Sequence, residues 1–410
     1  MSAVQGSADQ AVTTPDVTAK KALVASTVGY AMDGYDFLIL AFILGAIGAD
    51  LGLSPAQRGS LATWTLIGAV VGGIGFGILS DYYGRVRVLT WTILLFAVFT
   101  GLGALAQGYW DLVFYRTIAG LGLGGEFGIG MALVAEAWPA KHRARACSYV
   151  GLGWQVGVLL AALTTPLLLP HVGWRGMFLI GLIPGLVAFG IRWYVGEPQL
   201  FVEQQKKART TAPVKLLVKD AETTKISAGM LILCAVQNFG YYGLMIWLPS
   251  YLSSRFGYNP LQSAVWISVT ILGMMFGIFV FGYFADLVGR RPALLTFQAG
   301  AAIMVVVFSQ LTSPTALLIG GAVMGIFVNG MLGGYGALLA ELYPTEARAT
   351  AENVIFNLGR GIGGFGPFVV GAVLAAHSFQ LAIGLLSIIY VIDIIATYFL
   401  IPERKGAALQ

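Results

Sequence analysis

Along this 410-residue chain, apolar runs of roughly 18–28 residues alternate with short breaks rich in Gly, Pro and charge, each run long enough to cross a bilayer as a helix. At about 1.5 Å of rise per residue, such runs cover the roughly 30 Å of hydrocarbon. The pattern predicts twelve spans, over 23–48, 59–80, 87–107, 112–136, 144–169, 175–196, 226–253, 262–285, 292–311, 315–342, 349–375 and 379–401. One interior stretch breaks the rhythm. Residues 197–225 open at Glu197-Pro198, run through Lys206-Lys207-Ala208-Arg209 and stay polar as far as Lys225. This stretch reads as an inter-domain linker between six spans and six. The expected fold is an all-α membrane protein of twelve transmembrane helices in two pseudo-symmetric six-helix bundles. Its parts are a tail at 1–22, a bundle at 23–196, the linker at 197–225, a bundle at 226–402 and a tail at 403–410.

Composition agrees. The chain is 57% hydrophobic and only 10% charged, against about 25% charged in soluble domains. Its 55 glycines suit close helix packing in lipid. The first twenty residues are polar and lack the pattern of a cleaved signal peptide, so none is expected. Positive charge sets the orientation. Of the 24 Lys and Arg, only Arg58, Arg175 and Arg255 fall on the outer side, while Arg116, Arg192 and Arg360 lie within spans. The remainder flank the inner side, which places both ends in the cytoplasm. Cys147 and Cys234 do not suggest a disulfide framework. No His/Cys cluster has metal-ligand spacing, so neither metal nor cofactor is expected. No Ser/His/Asp set and no His-Glu-x-x-His motif points to catalysis, so an enzyme is not expected.

The two halves repeat at an offset of 205 residues. Gly77-Ile78-Leu79-Ser80-Asp81-Tyr82-Tyr83-Gly84-Arg85 maps onto Gly282-Tyr283-Phe284-Ala285-Asp286-Leu287-Val288-Gly289-Arg290. Ala135-Glu136-Ala137-Trp138-Pro139 maps onto Ala340-Glu341-Leu342-Tyr343-Pro344, and Arg143 onto Arg348. Parallel six-helix repeats are a transporter architecture, with the substrate site near the midplane between them.

On these residues the chain resembles the major facilitator superfamily, over residues 20–403. Arg116-Thr117-Ile118-Ala119-Gly120 is similar to its fourth-helix motif. Within the superfamily, Asp33-Gly34-Tyr35-Asp36 resembles an element of the aromatic acid:proton symporters. Glu126-Phe127-Gly128 and Ala135-Glu136-Ala137-Trp138-Pro139 resemble segments of the sialate and monocarboxylate:proton symporters. The resemblance implies uptake of an organic anion with a proton, by a functional monomer in a bacterial inner membrane. Span five reads Gly151-Leu152-Gly153-Trp154-Gln155-Val156-Gly157 and lacks the Gly-Pro-x-x-Gly-Gly run of drug antiporters.

Charges inside the spans carry the functional expectations, because Asp at a helix centre costs about 2.5–3.5 kcal/mol to insert. Asp33 and Asp36 lie about 15 and 20 Å from the inner end of span one, on one helix face. They are the expected proton carriers, against a reading as acids neutralised by packing. Glu126, about 10 Å from the cytoplasmic end of span four, is a second candidate proton site, against a structural hydrogen-bonded acid. Arg116 either snorkels or pairs with Asp36, which lies at a similar level. Arg360, about 17 Å into span eleven, requires an anion. That anion is either the substrate carboxylate, held bidentately, or an acid of the first half. Asp393 in span twelve has no evident role.

Gln155, Tyr241, Tyr242 and Asn357 are the polar side chains expected to line the substrate site. Tyr30, Trp154, Gln237, Asn329 and Tyr335 are comparable by type. Glu136 and Glu341, each seven residues before an Arg, read as structural charge pairs. By resemblance, Asp81 and Arg85 gate the cytoplasmic side, Asp81 facing the N-terminus of span eleven, and Asp286 and Arg290 mirror them at span five. The expected function is proton-coupled import of a small organic anion by alternating access. The expected partners are that anion, protons and the lipid bilayer, and no nucleic acid. A sugar or drug carrier and a transporter-like nutrient sensor are the alternatives.

Overall fold

The computed structural model describes residues 17–192, 196–198, 201–203, 212–258 and 260–406. The 1–16 part of the tail, Lys206-Lys207-Ala208-Arg209 and 407–410 lie outside the described residues. Among those described, eleven helices are long and apolar enough to cross a membrane. Span one is Val17–Asp50, span two Pro55–Tyr83, span three Arg85–Leu102 and span four Tyr109–Ala137. Spans five and six are two helices that follow one another within Arg143–Arg192. The backbone turns at Gly173 (φ 65°, ψ 177°), which separates the two predicted arms.

Span seven is Ala221–Phe256, span eight Pro260–Val288 and span nine Arg290–Gln310. Span ten runs Pro314–Gly330 and continues as Leu332–Leu342; span eleven runs Arg348–Gly363 and continues as Gly366–Ala376. Phe379–Gly384 and Leu386–Leu400 make span twelve. The helices outrun the apolar windows because hydrogen bonding continues beyond the lipid-soluble residues. Span seven starts before Ile226 because Asp220 caps it: Thr223 N donates to Asp220 Oδ1 at 2.7 Å. This exposed carboxyl is held below the usual carboxylate range by those hydrogen bonds from Thr223.

Packing repeats as the sequence does. Span one lies on span five, two on four and three on six; seven lies on eleven, eight on ten and nine on twelve. The halves meet through span five on span eight and span two on span eleven. Glycine permits the closest of these approaches. A Cβ on Gly157 would stand 1.8 Å from the Ala31 carbonyl oxygen, so spans one and five touch backbone to backbone there.

Candidate functional site

Trp138 Nε1 donates to Ala19 O, and Glu403 accepts from Arg290 N and Arg291 N, so the chain ends gather at one end of the bundle. Two mirror-related ion clusters close this terminal end. Asp81 accepts from Thr350 N (2.8 Å) and Thr350 Oγ1 (2.5 Å), at the first turn of span eleven, where the helix dipole favours an anion. Arg85 binds Asp81 at 2.6 Å and Glu136 at 3.0 Å. Glu136 also binds Arg348 of the other half at 2.8 Å. In the mirror cluster Asp286 accepts from Ala144 N and Arg145 N at the start of span five. Arg290 binds Asp286 at 3.2 Å and Glu341 at 2.8 Å, and Glu341 reaches Arg143 of the first half at 3.0 Å. Asp81, Arg85 and Arg348 have no exposure at all.

The turn leading into each cluster is glycine for a conformational reason. Gly84 and Gly289 have φ of 115° and 113°, a region closed to other residues. The next helix N-terminus is capped by a distant carboxylate. Glu197 accepts from Arg85 N (2.8 Å) and Arg87 N (3.1 Å), as Glu403 does from Arg290 N and Arg291 N. Burial pushes the Glu197 carboxyl upward, against the hydrogen bonds from these backbone groups.

Midway along the bundle, side chains of both halves converge on Arg360. Its Nε donates to Tyr242 Oη at 3.0 Å. Its guanidinium carbon lies 5.2 Å from the ring centres of both Phe37 and Trp154. Among the described residues no carboxylate forms an ion pair with it; Asp33 is the acid whose charge bears on it. Arg360 borders a small chamber of about 20 Å³, lined also by Tyr30, Gln237, Asn238, Asn329 and Phe356. Toward the far end of the bundle lies a second cavity, of about 550 Å³ and mostly apolar, bounded by Phe37, Leu66, Val158, Met245, Ile267 and Pro367 among others. Trp154, Tyr241 and Tyr242 line both, so they form the partition between them. Trp154 Nε1 reaches Tyr241 Oη at 3.4 Å, a long and weak bond across the two halves.

Arg116 takes the opposite course. Its Nη2 meets Asp36 Oδ2 at 2.9 Å and its Nη1 meets Asp36 Oδ1 at 3.3 Å, a two-pronged pair inside the first half. Thr65 and Thr100 accept further bonds, and the Phe178 ring lies 5.8 Å away.

A twelve-helix bundle with paired six-helix halves, a charged latch at one end and a cavity between the halves invites comparison with known transporters. The family model that matches is the Major Facilitator Superfamily, over residues 26–277 and 265–409. The chain belongs to the Major Facilitator Superfamily. A "putative metabolite transport protein" of Haemophilus influenzae is 66% identical over 95% of this chain and 98% of its own length. A cis,cis-muconate transport protein of Acinetobacter baylyi is 30% identical over 95% of each. The solved structure of the proton:xylose symporter XylE superposes with a TM-score of 0.81 at 18% identity, covering 95% of this chain and 97% of that one, a likeness of fold. The chain is thus an integral membrane transporter of this superfamily rather than an enzyme.

Against that superfamily frame, the expected site residues divide. Arg360, Tyr241 and Tyr242 meet at the central chamber. Gln155 is fully buried and lies against the Tyr241 hydroxyl. Asp33 and Glu126 are buried but are not among the side chains lining either cavity, and Asp36 turns into the first half toward Arg116 rather than sharing a cavity with Asp33. Asn357 also lines neither cavity. Its Nδ2 donates to Gly124 O at 3.0 Å and Asn353 O at 2.9 Å, in the contact of span eleven with span four. Glu136 and Glu341 each pair with an Arg of their own half, Arg85 and Arg290, and with one of the other half, Arg348 and Arg143. Asp393 finds a partner in Gln298, whose Nε2 donates to it at 2.9 Å.

Sequence reasoning missed Phe37, which sits one turn from Asp33 and supplies a ring beneath Arg360; the i, i+4 spacing was its signal. It also missed Glu352, four residues after Arg348 and wholly buried.

Proposed function

We propose that this protein imports a small organic anion together with a proton by alternating access, with both termini in the cytoplasm. The supporting observation is Arg360, a buried guanidinium between the halves with aromatic faces on two sides and no ion pair among the described residues. Its Nε is engaged by Tyr242, which leaves Nη1 and Nη2 for the two oxygens of a carboxylate. Phe37, Trp154 and Tyr241 offer stacking surface to a flat acid. The transport of cis,cis-muconate, a carboxylate, by the Acinetobacter relative points the same way.

Coupling follows from Asp33. Ionised, Asp33 offsets the charge of Arg360; protonated, it leaves that charge to the substrate. Glu126 is the second candidate carrier, and the Arg116–Asp36 pair opens and reforms in this reading. A monoanion moving with one proton carries no net charge, so the pH gradient alone drives it; each further proton adds about 2.3 kcal/mol per 100 mV. The far-end cavity then opens outside, and the ion clusters hold the cytoplasmic side shut.

The test is uptake into proteoliposomes under an inward proton gradient, with labelled benzoate-type acids, lactate and sialate, and with sugars as controls. Accumulation of one acid class that collapses with the gradient is the expected result. Uptake of a sugar alone, or no gradient dependence, overturns the reading.

A further inference from the structure

Glu352 stands on span eleven, beside the ion cluster of the terminal end, and has no exposure to solvent. Neither of its carboxyl oxygens has a hydrogen-bond partner among the described residues. The charged groups facing it are Arg348 from its own helix, Glu136 from span four, and Asp81 and Arg85 from either side of the turn after span two. Cys147 of span five faces it across the interface, and the charges of Arg143, Glu341 and Arg290 also bear on that thiol.

Charge balance in this group is informative. Arg85 and Arg348 supply two positive charges, and their bonds to Asp81 and Glu136 match those charges one for one. Their other bonds go to the Ser80, Thr345, Ala340 and Tyr343 carbonyls and to Thr345 Oγ1, and Arg85 Nε makes no hydrogen bond among the described residues. A third carboxylate would be buried without a hydrogen bond and in excess of the two charges already matched, an arrangement that costs several kcal/mol. The mirror cluster shows what fits. At the 205-residue offset Glu352 corresponds to Cys147, an uncharged thiol. The interface therefore accommodates a neutral group at this position in the mirror cluster.

We propose that Glu352 is a proton-binding site of the terminal gate, protonated while the two halves are latched and deprotonated when they part and water enters. The gate then senses pH on the side toward which it opens, and the proton on Glu352 leaves to that side. This deepens the transport reading, but the gate response itself needs no substrate.

Pulsed electron-spin distance measurements test it on protein purified without substrate. Spin labels go on Lys141→Cys and Glu346→Cys, which lie on opposite halves at the terminal end; the native Cys147 and Cys234 are buried. In the parent, raising the pH from acid to mildly alkaline shifts the population from the short to the long distance, by at most about tenfold per pH unit. Glu352→Gln, neutral and of the same shape, holds the short distance throughout. Glu352→Asp restores a pH response and guards against a folding artefact. A parent without a pH response, or a Glu352→Gln protein that tracks the parent, overturns the proposal. If uptake assays find no organic anion while the distance response survives, the substrate reading fails and the gate proposal stands.

Discussion

Arg116 and Arg360 are both buried guanidiniums deep in a span, one in each half, and they end in opposite situations. Arg116 is closed on Asp36 by two bonds within its own bundle. Arg360 has a phenol and two aromatic faces but no carboxylate pair among the described residues. The halves repeat closely at the gate, where Asp81, Arg85, Glu136 and Arg143 have counterparts in Asp286, Arg290, Glu341 and Arg348. They diverge in the interior, where Gln155 stands opposite Arg360 at the same offset and Gly321 opposite Arg116. Symmetry is retained where both halves perform one task, latching to each other. It is lost around Arg360 and Arg116, to which the proposed function gives binding in one half and coupling in the other.

The comparison breaks most sharply at Arg360. Arg360→Ala is expected to remove substrate binding almost entirely, by 100-fold or more, since a buried charged partner is worth about 2–5 kcal/mol when truncated. Arg360→Lys keeps the charge but loses the planar fork and is expected to recover only part of the affinity. Calorimetric titration of the purified protein with its best-transported acid measures both, and parent-like affinity in either refutes the assignment.

Next comes Arg116→Ala, which leaves Asp36 buried and unmatched and is expected to lower stability by about 3–5 kcal/mol. Arg116→Met with Asp36→Leu is expected to restore most of it. If the double variant is stable yet transports without proton coupling, the pair works in the cycle; if coupling is intact, it is structural.

Gly157→Ala is expected to cost about 1–3 kcal/mol in thermal unfolding by forcing spans one and five apart. The smallest effect belongs to Asp220→Ala at the exposed start of span seven. The Asp220 carboxyl is held below its ordinary range, so its contribution is present above the unfolded carboxylate pKa and is lost as pH falls through the folded one. A variant whose difference from the parent persists unchanged into strong acid contradicts that cause.

Much of the architecture was legible because hydropathy and the repeat are long-range signals. Asp81 on the first turn of span eleven followed from the motif, and the Arg116–Asp36 contact followed from counting depth along two helices. Other features depend on which helices meet. Glu136 lies seven residues before Arg143, yet binds Arg348, and no spacing within one half encodes that exchange. Asn357 has the chemistry of a ligand residue but its amide nitrogen is taken by Gly124 O, because Gly73 lets span eleven come so near that a Cβ on Gly73 would stand 2.1 Å from that nitrogen. Glu197 reads as the opening of a polar linker and serves as a helix cap more than a hundred residues upstream in sequence.

The partition made by Trp154, Tyr241 and Tyr242 has a kinetic consequence. It consists of side chains, and the hydrogen bond that joins Trp154 to Tyr241 across the halves is long, at 3.4 Å. Rotamer changes of such rings are fast beside helix rearrangements, which take microseconds to milliseconds. In the proposed cycle, admission from the large cavity to the Arg360 niche is therefore a rapid pre-equilibrium. In that cycle turnover is governed at the opposite pole, by how often the interlocked carboxylates and guanidiniums let go.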